Sequence, residues 1–139
     1  MADLKVSYDF DLRTIDVDVL VKENCEVIAA FFVIPHDGEE WEVTWTLVGD
    51  GNNHPTFDTD GIQILAKPDD LHVTHLTNSL HGPSWKVRFR NDCDSANAAS
   101  YDINGDVGNP VPELFSLLKT PGHFHHDPSI SVVSDPPAG

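Results

Sequence analysis

The stretch LKVSYDFDL alternates without a fault: Leu4, Val6, Tyr8, Phe10 and Leu12 take turns with Lys5, Ser7, Asp9 and Asp11. A period of two fits a strand with one buried face and does not fit a helix. Alternation resumes at Ile15, Val17, Val19 and Val21 with the opposite parity, after Arg13 and Thr14. A one-residue slip turns every side chain to the other face, so a turn or bulge is expected at that junction.

The same logic extends along the chain. VIAAFFVI, residues 27–34, is apolar throughout and reads as a central strand covered on both faces. PHDGEE follows as a turn with Pro35 and Gly38 as breakers. WEVTWTLV then sets Trp41, Val43, Trp45 and Leu47 on one face. Residues 49–61 read as a breaker-rich loop, and further strands are expected at 62–66, 71–76, 84–90, 99–103 and 129–134. PELFSLLK, 112–119, is the one helical candidate, with Pro112 suited to a first turn.

Eight or nine short strands with at most one short helix point to an all-β, immunoglobulin-like or jelly-roll β-sandwich. One domain is expected over 1–134, with 135–139 as a frayed tail. Cys25, a Trp at 41 or 45, and Cys93 resemble the immunoglobulin pattern, but Asn91 stands where that pattern has a Tyr. The closing DPSISVV resembles the last strand of small bacterial β-sandwich proteins ending in Asp-Pro-Ser/Thr-Ile, a likeness that implies no chemistry.

Charge excludes some functions. Twenty-three acids against eight Lys and Arg give −15, which repels polyanions. Nucleic-acid affinity and adhesion to anionic lipid both need clustered basic residues. Here the nearest thing to a cluster is the alternation of Lys86, Arg88 and Arg90. The longest apolar run is far short of the roughly 20 residues that span a bilayer. MADLKVSYDF lacks the charged and apolar regions of a signal peptide, so a cytoplasmic location is expected, a mature secreted form remaining open. Cys25 and Cys93 do not make a disulfide framework, and Asp92 and Asp94 beside Cys93 disfavour a thiolate.

Three acidic stretches offer oxygen ligands two residues apart: Asp58 and Asp60, Asp92 and Asp94, and Asp102, Asn104 and Asp106. Carboxylates converging from loops at one end of a sandwich suit Ca²⁺. An EF-hand frame from Asp102 to Glu113 fails, because Val107 stands where the turn needs Gly and Pro110 and Pro112 block the exit helix. The pairs at 58/60 and 92/94 also resemble those of calcium-dependent C2 domains, which implies a Ca²⁺-binding sandwich.

The histidines offer a different chemistry. On a strand His123 and His125 share a face and His126 points away, so a Zn²⁺ or Cu²⁺ site needs a third ligand from His36, His72, His75 or an Asp. Adding eight protons takes the charge from −15 to −7, so a pH-responsive surface is a further expectation. No Gly-x-Ser-x-Gly, P-loop or Cys-x-x-Cys motif is present. The chain therefore reads as a non-enzymatic binding or self-assembly module, Ca²⁺-dependent through Asp58, Asp60, Asp92, Asp94, Asp102 and Asp106. Its partner is another copy or another protein. The alternative is a small metal-dependent enzyme or metal-binding protein built on His123 and His125.

Overall fold

The computed structural model describes residues 5–22, 26–36, 38–50, 53–76, 78, 82–92, 97–107, 123–126 and 129–132. For 123–126 and 129–132 it is the backbone that is described, and for Asn97 and Ala98 likewise. Cys25, Cys93, Asp94, His81, the helical candidate at 112–119 and the tail lie outside these residues.

The chain is an all-β sandwich of two sheets, with no helix among the described residues. Its strands are β1 (Val6–Asp9), β2 (Thr14–Val21), β3 (Val27–Ala29), β4 (Val33–Ile34), β5 (Glu40–Gly49), β6 (Thr56–Ala66), β7 (Leu71–His75), β8 (Ser84–Asn91), β9 (Asn97–Asp106), β10 (His123–His126) and β11 (Ser129–Val132). The first sheet runs β1-β2-β5-β8-β7, with β3 also on β2. In the second sheet β9 carries β6 on one side and β10 and β11 on the other, and β11 pairs onward with β4.

β2 and β5 form as their alternation dictates. They pair in parallel from Thr14–Glu42 to Val21–Gly49. Ile15, Val17, Val19, Val21, Trp41, Val43, Trp45 and Leu47 are all buried on the inner face. The parity change falls in a tight turn, where Asp9 Oδ1 accepts from the Asp11 and Leu12 amides, both at 3.0 Å. Arg13 completes it in the left-handed region with φ of 54°, a conformation unusual for a non-glycine residue. The strand expected over 4–12 is therefore four residues long. Phe10 and Leu12, expected inside, lie 51% and 73% exposed in the turn.

The apolar run 27–34 is not one strand. β3 pairs with β2 as far as Val19–Ala29, and the Ala30 amide then donates to the Asp18 carbonyl at 3.1 Å. Beyond that point the edge of β2 is already taken, because the Asp18 amide donates to the Lys5 carbonyl at 3.1 Å and β1 follows. The chain leaves through exposed Phe31 and buried Phe32 and enters the second sheet as β4, parallel to β11. Two further boundaries move outward. β6 begins at Thr56, inside the expected loop, and β9 runs through Asp106 rather than ending at 103.

Polar groups tie the sheets together. The Trp45 indole donates to the Tyr101 hydroxyl at 3.1 Å in the core. Phe32 meets the Trp45 ring edge-on at 5.7 Å. The fully buried Asn91 donates to the Ile34 carbonyl at 2.9 Å, and the Val33 amide donates to the Tyr8 hydroxyl at 2.9 Å.

Tyr101→Phe leaves the buried Trp45 N–H without its acceptor and is expected to cost about 1–3 kcal/mol in urea unfolding. Burial pushes the Tyr101 phenol well above its ordinary value of 10.0, against a smaller lowering by the Trp45 hydrogen bond. The unfolded phenol ionises at its ordinary value while the folded one stays neutral. The contribution is therefore intact below about pH 10 and is lost as pH rises above it. Urea midpoints at pH 9 and pH 11 are expected to fall less in Tyr101→Phe than in the parent chain.

Candidate functional site

The outer face of the first sheet is a set of paired charges. β5 and β8 place Glu40 opposite Arg90 and Glu42 opposite Arg88. The Arg88 guanidinium lies 3.7 Å from both Glu40 and Glu42, and the Lys86 ammonium 4.0 Å from Glu42. Arg90 Nε and His72 Nε2 each sit 3.0 Å from Asp92 Oδ2. The basic alternation of β8 is thus met by acids, and no cationic patch arises from it.

The six acids expected to share Ca²⁺ are distributed differently. Asp92 is on the first sheet, engaged by Arg90 and His72. Asp58 and Asp60 are in β6 and Asp102 and Asp106 in β9, so four of the six stand on neighbouring strands rather than in converging loops. Asp94 lies outside the described residues. Among the described residues no three His, Cys, Asp or Glu gather as a metal-binding group.

β6 carries a large irregularity between these acids. Phe57 pairs with Gly105 and Ile62 with Ile103, so three extra residues stand on the β6 side. Such a bulge leaves backbone groups without ladder partners, and the Asn104 amide takes one of them, donating to the Asp60 carbonyl at 3.0 Å. Gly61 fits because it lacks a side chain. A Cβ there would stand 2.8 Å from Phe57 Cβ, Phe57 Cδ1 and Trp85 Cε3.

Beyond the bulge runs an open groove of about 500 Å³. β6 lines it with Thr59, Asp60, Ile62, Gln63, Ile64 and Leu65, while His75 of β7 and Trp85 of β8 close the far side. Trp85 packs on Phe57 with ring centres 5.7 Å apart. Leu65 is 54% exposed. His75 pairs with Val87 and is exposed at the end of β7, where it borders the groove. His72, three positions earlier and so of opposite parity, is on the outer face with Asp92.

Of the residues singled out in the sequence, the groove takes Asp60 and His75. Sequence reasoning missed Gly61, Leu65 and Trp85. The signal was there in DTDGIQIL, where a glycine precedes Ile62 and Ile64 and Leu65 then breaks their phase. His36 follows β4, and β4 lies beside the Ser131–Val132 end of β11. His123 pairs at the opposite end of β9. From the Val132–Asn97 pair to the His123–Asp106 pair β9 advances nine positions, roughly 30 Å at the usual rise. His36 therefore does not serve His123 and His125, and His72 and His75 belong to the other sheet.

Compared with known proteins, the chain matches no protein-family model and no curated protein sequence.

Gly61→Ala is expected to destabilise the fold by about 1–3 kcal/mol, since backbone or aromatic rings must shift to admit the methyl group. Urea unfolding measures it, and Gly38→Ala provides the contrast. Gly38 has open space around it, so its cost comes from its φ of 74° alone.

Proposed function

We propose that this chain is a non-enzymatic binding module that accepts an extended, positively charged segment of a partner protein along β6. The observation that carries this reading is the groove beside an eleven-residue edge strand. β6 pairs with β9 on one side, and among the described residues no strand pairs with its other side. An unpaired edge offers backbone hydrogen bonds to an incoming strand, and alternate side-chain pockets give the selectivity. Ile64, Leu65 and Trp85 supply the apolar contact here.

Charge argues for the sign of the partner. The chain carries −15, and Asp60 stands in the groove itself. The cations of β8 lie in ion pairs on the outer face of the first sheet. A second copy of the chain would bring a like charge, and the bulge at 58–61 interrupts the flat edge that indiscriminate pairing needs. A metal-dependent enzyme would need histidines converging in a pocket. The described histidine side chains are spread instead: His72 in an exposed ion pair, His75 at the groove.

The test is fluorescence anisotropy with a short labelled peptide of alternating Lys and Val, set against one of alternating Glu and Val. Saturable binding of the Lys peptide is expected, with amide shifts confined to β6, β7 and the start of β8. Asp60→Lys is expected to weaken it about three- to fivefold, the scale of one exposed charge pair. Equal binding of the two peptides, or shifts centred elsewhere, would overturn the reading.

A further inference from the structure

We propose that the β6 groove holds an arginine-selective subsite, in which a guanidinium of the partner stacks on the Trp85 ring and pairs with the Asp60 carboxylate. The inference rests on the reading of β6 as the docking edge for a basic segment, and it names the side chain that this segment brings.

Trp85 is the platform. β8 directs Val87, Phe89 and Asn91 into the core, and Trp85 has the same parity. In the ladder it stands opposite Trp45, which is fully buried, yet Trp85 itself is only partly buried. Its place explains the difference. It lies where the sandwich opens between β6 and β7, and there it lines the groove. Phe57 packs on it with ring centres 5.7 Å apart and planes at 57°, which holds the indole in position before any ligand arrives. Trp41 and Trp45 are both fully buried, so Trp85 is the tryptophan that a partner can reach.

The bulge brings a carboxylate to this ring. A Cβ on Gly61 would stand 2.8 Å from Trp85 Cε3, so the chain next to Asp60 lies against the indole. The Asn104 amide donates to the Asp60 carbonyl at 3.0 Å and steadies this part of the bulge. That bond uses the backbone of Asp60, while the residue is exposed and lines the groove. Among the described residues lining the groove there is no Lys or Arg, and Asp60 carries the one formal charge while His75 is neutral.

Together the two groups select arginine. An indole face attracts a cation, and a guanidinium is planar, so it stacks on the ring and still directs N–H groups sideways to a carboxylate. The lysine ammonium is a compact, strongly hydrated charge, which meets the carboxylate but gains less from the ring. Gln63 and Thr59 line the same groove and offer oxygens to the remaining guanidinium N–H groups.

The experiment uses the full chain and three labelled peptides that alternate Val with Arg, Lys or citrulline, the uncharged counterpart of arginine. By anisotropy the Arg peptide is expected to bind about two- to fivefold more tightly than the Lys peptide. The citrulline peptide is expected to bind more weakly than either. In the parent chain the Trp85 indole N–H resonance is expected to shift with the Arg peptide, while those of Trp41 and Trp45 stay in place. Trp85→Leu is expected to bring the Arg and Lys affinities together, and Trp85→Phe, which keeps an aromatic ring, to retain part of the preference. Near-UV circular dichroism establishes that both variants are folded. Equal affinities for the Arg and Lys peptides in the parent chain, or a preference undiminished in Trp85→Leu, would overturn the subsite and leave the β6 reading standing. Binding of neither peptide would overturn both.

Discussion

Between the two sheets, the Trp45 indole N–H donates to the Tyr101 hydroxyl oxygen where water has no access. A buried indole N–H or phenol without a partner carries a desolvation cost comparable to a sizeable share of a domain's net stability. This pair therefore does more than fill space: it fixes which side of β9 faces inward. With Tyr101 inside, Ile103 and Val107 follow inside and Asp102, Asn104 and Asp106 take the opposite face, where Asn104 is buried against the β6 bulge. The polar face of the second sheet is thus decided by an aromatic contact in the core.

The same sheet is fastened unequally at its two edges. β4, two residues long, is tied to the first sheet by Asn91 at the Ile34 carbonyl and by Tyr8 at the Val33 amide. β6, at the other edge, meets the first sheet's loop at its start, where the Phe57 amide donates to the Gly82 carbonyl at 2.8 Å. From there it runs along the groove. The short edge is closed and the long one is accessible. Polar side chains on neighbouring elements produce this difference, by directing hydrogen bonds to particular backbone groups.

Much of the architecture was legible because alternation is a strong signal where one face is buried. β2 and β5 lie where their patterns placed them, and the parity change at Arg13 marked a turn. The apolar run 27–34 was not legible in the same way, since a uniform pattern carries no parity and cannot reveal a change of sheet. Its division depends on β1 occupying the rest of the β2 edge, a long-range fact. The stretches 56–61 and 104–106 fell outside the expected strands because Asp, Asn and Gly favour turns. Pairing between β6 and β9 overrides that local preference. The histidine pair was visible as a spacing, but the identity of the residue opposite it is a matter of register, which the sequence does not print.

The parallel pairing of β2 with β5 has a consequence for how the chain reaches this state. Parallel neighbours need a crossover, and here the connection from residue 22 to 39 passes through the opposite sheet by way of β4. The partner of β4 is β11, where Val33 meets Ser131, ninety-eight positions later in the chain. On a ribosome the N-terminal half therefore emerges long before the strand that seats its crossover. Such non-local closure is slow, and the unseated Val33 and Ile34 are apolar surface exposed in the meantime. The high negative charge then has a kinetic meaning: mutual repulsion keeps nascent chains apart during the interval in which the sandwich is still open.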